Sequence, residues 1–229
     1  TLDAAFSVVQ TLDGGYILGG NSFNPFIGFS PIFIVRTDCH GDTLWTKSIK
    51  ISSTGGDVLS SILELGDGSF ILGGDTQDTT LFTTDIYIMK LNSSGDQQWI
   101  KFYGGTSNDH TFGGLAQTDD KGFTIAGYSS SFGSGDNDFY LLHTDSLGNQ
   151  QWQNNYGGAG EEICISMDAT DDGGYILSGR TNSFGQGQFD LYLVKVDSAG
   201  GFEWQQTYGT LGSEGGGGAV QTMDGGYVF

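Results

Sequence analysis

Short runs of aromatic and β-branched residues alternate with turn residues along the chain. Within the stretch from Glu162 to Tyr208, such runs occupy 163–169, 175–179, 190–196 and 202–207. Runs of about five to eight such residues between turn signals are typical of β-strands. Asp-Gly turns connect the first run to the second, and a polar, glycine-rich loop connects the second to the third. The pattern predicts four strands, here named a, b, c and d, joined as antiparallel hairpins.

The same pattern recurs along the whole chain with an almost constant period. Four tryptophans follow one another at intervals of 52 to 54 residues: Trp45, Trp99, Trp152 and Trp204. A turn phrase keeps the same period and begins at Asp13, Asp67, Asp120, Asp172 and Asp224. A four-stranded unit repeated at this period is typical of β-propeller blades. We therefore predict an all-β fold, a single repeat array with four full blades and a half blade, at residues 3–52, 57–105, 109–158, 162–210 and 214–229.

The count of strands at the two ends bears on how such a propeller closes. The half blade supplies strands a and b, which the first blade already has, so the two ends do not complement each other. The first expectation is that the chain is a fragment of a propeller with more blades. The alternatives are a four-bladed ring with a redundant hairpin and an open array closed by another chain.

Strand b ends in a glycine pair in Ile17-Leu18-Gly19-Gly20 and again in Ile71-Leu72-Gly73-Gly74, and a loop, strand c and a tryptophan follow. This order resembles the kelch repeat. The turn from Asp197 to Trp204 resembles the tryptophan-docking turn of quinoprotein-type propellers and, more loosely, the Asp-box of sialidases. The whole chain is most similar to Asp-Gly-Gly-Tyr-Ile-Leu repeat propellers of secreted or surface bacterial proteins. The resemblance implies the fold, whereas propellers serve many functions.

Charge and composition restrict the partners. The chain has 27 acidic and 8 basic residues and a net charge of −19. Such a surface repels phosphate backbones, which argues against nucleic acid and leaves cations, proteins or glycans as partners. No apolar stretch has the length of a membrane span, so membrane insertion is not expected. Composition and resemblance together predict an extracellular or cell-envelope location, with self-association through open propeller ends as a further expectation.

One set of acidic residues recurs in phase with the repeat. Each member is expected at the start of a strand a: Asp3, Asp57, Asp109, Glu162 and Glu214. If strand a is innermost, as the kelch resemblance implies, these carboxylates surround one mouth of a central channel. Two interpretations stay open. The acids either cap backbone N–H groups of neighbouring loops or bind a cation, for which Ca²⁺ is the first choice.

A second set of candidates lies where long, variable b–c loops share one face with the starts of strands c. Its members are four loop phenylalanines and three aspartates that open strands c: Phe23, Phe82, Phe132, Phe184, Asp85, Asp138 and Asp190. Variable loops on a rigid scaffold commonly carry binding sites. The alternative is that the phenylalanines fold back and anchor their own loops. The tryptophans, in contrast, are expected to pack between blades.

The sequence contains no local catalytic motif. His40, His110 and His143 occupy different phrases of the repeat, and neither a nucleophile elbow nor a phosphate-binding loop is present. The sequence therefore predicts a protein without enzymatic activity, acting as a binding or scaffold module through the face that carries the b–c loops. The alternatives are a glycan-active enzyme domain, since acids are plentiful, and a structural part of a stalk or filament.

Overall fold

The fold was analysed in a computed structural model that describes residues 2–23, 31–53, 55–78 and 81–229, without the side chains of Leu2, Asp3 and Phe23. The chain divides into two compact units, residues 1–106 and 107–229. Every strand pair within the sheets is antiparallel, and the described residues contain no helix. The described part therefore also contains no helix with the length and apolar composition of a membrane span.

The first unit consists of two four-stranded sheets in which the strands follow one another in chain order. Blade 1 comprises β1 (Leu2–Gln10), β2 (Tyr16–Phe23), β3 (Ile32–Thr37) and β4 (Thr43–Ile49). Blade 2 comprises β5 (Asp57–Glu64), β6 (Phe70–Asp78), β7 (Thr83–Leu91) and β8 (Gln97–Tyr103). Strand β5 packs against β1 and β2, so the two sheets meet through strand a of blade 2. Ile17, Ile34, Leu59, Leu72 and Met89 belong to the buried core between them.

The second unit repeats this arrangement twice and then adds a hairpin. Blade 3 comprises β9 (Asp109–His110), β10 (Leu115–Gln117), β11 (Phe123–Ser129), β12 (Asp138–Thr144) and β13 (Gln150–Tyr156). Blade 4 comprises β14 (Glu162–Ala169), β15 (Tyr175–Thr181), β16 (Asp190–Val196) and β17 (Phe202–Tyr208), and the hairpin comprises β18 (Val220–Gln221) and β19 (Tyr227–Val228). Strand a of blade 3 is interrupted between β9 and β10, a break that the sequence pattern did not predict.

Strand a approaches strand b closely at the glycine near the end of strand b, and this explains why a glycine recurs there. The pairing register shifts between Ala5 and Ser7, between Leu59 and Ser61, and between Cys164 and Ser166. At each shift the strand a backbone bulges toward the facing glycine. A Cβ at Gly179, for example, would collide with the carbonyl oxygen of Ile163. The corresponding glycines Gly20, Gly74 and Gly127 meet a strand a carbonyl in the same way. Bulges of this kind require a partner without a side chain.

The tryptophans join neighbouring blades within each unit, as the repeat predicted. Trp45 of β4 lies edge-on to Phe70 of blade 2, with ring centroids 6.2 Å apart. A Cβ on Gly95, in the c–d turn of blade 2, would lie 2.9 Å from the Trp45 ring. In the second unit, Trp152 of blade 3 lies in the same way against Gly200 of blade 4. Each of these tryptophans therefore packs on the c–d turn of the following blade.

Candidate functional site

The acids that begin strands a accept hydrogen bonds from nearby loops. Asp57 accepts from the backbone N–H groups of Ile51 and Ser52, at 2.7 and 2.9 Å, and from the Thr76 hydroxyl at 2.8 Å. Asp109 accepts from the Ser129 and Ser131 hydroxyls. Both carboxylates are buried. These bonds correspond to the capping interpretation of the acids.

Glu162 in blade 4 and Glu214 follow the same scheme, although Glu214 lies before β18 and does not begin a strand as the sequence predicted. Glu162 is buried and accepts from Gly158 N–H at 2.7 Å and from the Thr181 hydroxyl at 2.5 Å. Glu214 accepts from the Thr210 hydroxyl at 2.7 Å, and this bond holds the pKa of Glu214 below its usual range. The side chain of Asp3 lies outside the described part of the chain. No three acidic, histidine or cysteine side chains among the described residues are grouped to hold a metal ion, and Ca²⁺ binding by this set stays a prediction.

The aspartates predicted to open strands c are half-buried or buried. Asp85 is half-buried and is the third residue of β7, so it does not open that strand as predicted, while Asp138 and Asp190 open β12 and β16 and are buried. Asp138 Oδ2 accepts hydrogen bonds from the N–H groups of Ser134 and Gly135, at 2.7 and 3.2 Å. Its other oxygen faces Glu162 across Gly157, where a Cβ would collide with both carboxylates. Burial, together with the Glu162 charge, raises the pKa of Asp138 from its ordinary value of 3.8.

This raised pKa predicts a pH dependence of stability that Asp138→Asn removes. Between the unfolded pKa of 3.8 and the higher folded pKa, the native state binds more protons than the unfolded state. The contribution of Asp138 to the free energy of unfolding therefore falls as the pH rises through this window. Asparagine does not ionise, so the stability of Asp138→Asn relative to the wild type should rise over the same window. Urea midpoints measured from acidic to neutral pH check this, and parallel curves for the two proteins would contradict it.

The loop phenylalanines take up different environments. The ring of Phe132 stacks on Tyr140 of its own blade at 5.8 Å, and Phe184 lies 5.5 Å from Tyr192. Both therefore anchor their loops. Phe82 is 82% exposed and has a backbone φ of 56°, in the left-handed region. The side chain of Phe23 lies outside the described part of the chain. A binding role for these four residues stays a prediction.

The structure reveals a second periodic set that the sequence reasoning missed. One basic residue stands near the end of strand c in every full blade and pairs with the aspartate of the a–b turn: Arg36 with Asp13, Lys90 with Asp67, His143 with Asp120, and Lys195 with Asp172. The signal was available, because these four residues have the same period as the tryptophans. The hydrogen bond from Arg36 holds the pKa of Asp13 well below its usual range, and that from Lys195 does the same for Asp172.

Blade 3 departs from this set because its basic residue is a histidine. His143 Nε2 lies 3.2 Å from Asp120 Oδ2, and His143 Nδ1 lies 3.1 Å from the Thr124 hydroxyl. Thr124 is in turn 2.9 Å from the hydroxyl of Tyr175 in blade 4. The imidazole also stacks on Trp152, with ring centroids 5.1 Å apart. A chain of hydrogen bonds thus runs from the exposed carboxylate of Asp120 to the buried ring of Tyr175, whose pKa is raised by burial.

This chain of hydrogen bonds borders a cleft of about 470 Å³ between blades 3 and 4, here named the acidic cleft. Its lining includes Asp119, Asp120 and His143 from blade 3, and Asp172 and Tyr175 from blade 4. Asp119 is exposed and accepts no hydrogen bond from the described residues. Asp120 is held by Thr118, Gly122 N–H and His143, which lower its pKa. The cleft lies among the tight turns, whereas the sequence placed the binding face among the b–c loops.

The first unit has an equivalent cleft, of about 420 Å³, between blades 1 and 2. Leu12 occupies the repeat position of Asp119, Arg36 that of His143, and Phe70 that of Tyr175. The two clefts therefore have the same backbone setting and different chemistry. In the first, Arg36 pairs with Asp13, Glu64 accepts a hydrogen bond from Leu12 N–H, and the other positions are mainly apolar. In the acidic cleft, Asp119 has no cationic partner among the described residues, and the partner of Asp120 is a histidine.

Comparison with solved structures identifies the fold. The chain matches the α-L-arabinofuranosidase Arb93A of Fusarium graminearum with a TM-score of 0.63 and 13% identity, over 96% of this chain and 67% of that one. It matches a putative exo-beta-1,3-galactanase of Bifidobacterium bifidum with a TM-score of 0.55 and 16% identity, over 90% of this chain and 72% of that one. No protein-family model and no curated protein matches the chain, so the likeness to kelch repeats stays a resemblance.

These matches decide two expectations from the sequence. The prediction of an all-β propeller with four-stranded antiparallel blades is confirmed. The prediction that the protein has no enzymatic activity is contradicted, because the matched folds are those of an arabinofuranosidase and a putative galactanase. The sequence argument relied on local motifs. In a repeat fold, side chains that act together come from separate blades and leave no local motif.

Proposed function

We propose that this protein is a glycan-processing enzyme of the glycoside hydrolase type and that the acidic cleft binds the sugar. The observation that carries the proposal is the gathering of Asp119, Asp120 and Asp172 in one open cleft of about 470 Å³. Hydroxyl groups of a neutral sugar are good donors to carboxylates, which suits a strongly acidic lining. The fold shared with Arb93A adds support, and the extracellular or envelope location expected from the sequence is part of this proposal.

The roles within the cleft follow from its electrostatics. Hydrolysis of a glycosidic bond uses one carboxyl group to protonate the leaving oxygen and a second to act as base or nucleophile. Asp172 is kept ionised by Lys195 Nζ at 2.8 Å, which suits the base or nucleophile. Asp119 stands in the turn of the neighbouring blade and accepts no hydrogen bond from the described residues, so its carboxyl group is open to a substrate oxygen. We assign the proton transfer to Asp119.

His143 is a positioning residue in this scheme. It contacts Asp120 and Thr124 and supports the wall of the cleft. His143→Lys restores the residue type found at the equivalent positions Lys90 and Lys195, so the fold should be retained. The lysine would add a positive charge beside the carboxylates and should raise KM more than it lowers kcat. An unchanged KM would show that His143 has no influence on substrate binding in the acidic cleft.

Asp119→Asn is expected to lower kcat/KM on a glycoside substrate by about a hundredfold, the usual contribution of a proton-transfer group. The assay measures sugar released from aryl α-L-arabinofuranosides and β-D-galactosides and from the corresponding polysaccharides. Asp171→Asn is the matched control, because Asp171 occupies the same repeat position in blade 4, is equally exposed and does not line the cleft. Equal activities of the two variants, or no release by the wild type, would contradict the proposal.

A further inference from the structure

Two pairs of carboxylates in the second unit connect one repeat to the next. In each pair, the aspartate that opens strand c meets the glutamate at the predicted start of the following strand a, with a glycine between them. The pairs are Asp138 with Glu162 at Gly157, and Asp190 with Glu214 at Gly209. A Cβ at either glycine would collide with the aspartate oxygen and would lie within 3 Å of the glutamate oxygen Oε2. Both pairs therefore bring two acidic oxygens close together.

The first pair is well supplied with hydrogen-bond donors. Asp138 Oδ2 accepts hydrogen bonds from two backbone N–H groups. Glu162 accepts three hydrogen bonds, from Gly158 N–H, Ser183 N–H and the Thr181 hydroxyl. These donors compensate for the loss of water around the two buried carboxyl groups. Among the described residues, neither carboxylate of the first pair has a buried oxygen without a hydrogen-bond partner.

The second pair lacks such a set of donors. Asp190 Oδ2 accepts from Gln186 N–H at 2.6 Å, but Asp190 Oδ1 is buried and has no hydrogen-bond partner among the described residues. Asp190 is 2% exposed. Its bare oxygen is directed at Gly209, beside Glu214 Oε2. Glu214 is held in its ionised form by Thr210, so the unpartnered oxygen faces a negative charge. A buried acceptor in this position is costly unless a positive charge compensates for it.

We propose that Asp190 Oδ1 and Glu214 Oε2 bind a divalent cation of the Ca²⁺ class. Ca²⁺ accepts six to eight oxygen ligands in loose geometry, and water completes its shell where the protein supplies few. The described residues place only two carboxylates here, in agreement with the absence of any group of three among them. Glu214 is half-exposed, which leaves room for the water ligands. The site is therefore expected to bind with millimolar affinity.

Such an ion would strengthen a connection that the backbone has already formed. Gln188 N–H donates to the carbonyl of Gly212 at 3.0 Å, and Glu214 N–H donates to the carbonyl of Phe189 at 2.7 Å. The b–c loop of blade 4 is thus paired with the segment that leads into the final hairpin. A cation between Asp190 and Glu214 would join the same two segments through their side chains. It would act on folding stability and on the order of this loop, independently of the acidic cleft.

The test compares thermal unfolding of the purified protein in chelator and in millimolar calcium chloride, with isothermal titration calorimetry to measure binding. At calcium concentrations about five times the Kd, the wild-type Tm should rise by about 2–4 °C, because a ligand that binds only the folded form stabilises it. Asp190→Asn keeps the acceptor for Gln186 N–H and removes the charge, so it should abolish the shift. Glu214→Gln should do the same. Asp138→Asn is the matched control and should keep the full shift.

Three results would overturn the proposal. The first is a wild-type Tm and calorimetric trace that do not respond to millimolar calcium. The second is a calcium shift of the same size in Asp190→Asn and Glu214→Gln, which would assign the effect to other acids of this −19 chain. The third is loss of the shift in Asp138→Asn alone, which would place the ion at the first pair. None of these results depends on glycan hydrolysis, so the two proposals stand or fall separately.

Discussion

Trp152→Ala is expected to lower the free energy of unfolding by about 3 kcal/mol. Large aromatic deletions in cores cost about 3–5 kcal/mol, and the lower end applies because Trp152 is half-buried. Its ring lies against Gly200 of blade 4 and stacks on His143, so its removal opens a gap between two blades. Gly200 has no side chain that could fill this gap in the alanine variant. The gap can close only if the c–d turn of blade 4 moves.

Equilibrium denaturation in urea, followed by far-ultraviolet circular dichroism, measures this effect. Trp152→Phe is the matched variant, since it keeps an aromatic ring at the contact and should lose less stability than alanine. A midpoint for Trp152→Ala equal to that of the wild type, together with loss of glycan binding, would assign the ring to recognition instead of packing.

Gly179→Ala is expected to destabilise the protein by about 3 kcal/mol, at the upper end of the usual cost of an inserted methyl group. The added Cβ would collide with the carbonyl oxygen of Ile163, which belongs to the bulged backbone of strand a. Backbone atoms of a paired strand cannot move aside as a flexible side chain can. The strain must therefore distort the register between β14 and β15.

Gly173→Ala provides a comparison at a glycine of the same blade that carries no such contact. Its Cβ would have the nearest neighbour at 4.0 Å, and its φ of 81° makes the cost purely conformational, about 1 kcal/mol. Urea midpoints of both variants check the prediction. It fails if Gly179→Ala is no more destabilised than Gly173→Ala.

The fold could be predicted because its determinants are local and repeated. Turn phrases and apolar runs mark each strand, and the constant period of Trp45, Trp99, Trp152 and Trp204 indicates that the strands form equivalent sheets. The interruption of strand a in blade 3 could not be predicted. There, Gly113 and Gly114 adopt positive φ between β9 and β10, and the sequence pattern does not show that the chain leaves the sheet.

The acidic cleft could not be predicted from the sequence, for a different reason. Asp119 and Asp172 are separated by a whole repeat, and only the packing of two sheets places them on one cleft. The sequence shows that acidic residues recur at the predicted start of strand a. It does not show which loop N–H groups donate hydrogen bonds to them. Those donors lie in irregular segments between blades, as at Ile51 and Ser52, which have no recurring sequence pattern. Periodicity therefore predicts which residues are equivalent, and it does not predict what each one contacts.

The polar contact between strand c and the a–b turn has an evolutionary consequence. Its acidic partner is always aspartate, while its basic partner is Arg36, Lys90, His143 or Lys195. An array that grew by duplication began with identical copies of this pair. The aspartate also accepts a hydrogen bond from a backbone N–H group of its own turn. The turn therefore keeps its conformation when the basic residue on strand c is replaced by another. One copy can thus acquire new chemistry by a single substitution while its sisters preserve the ancestral scaffold.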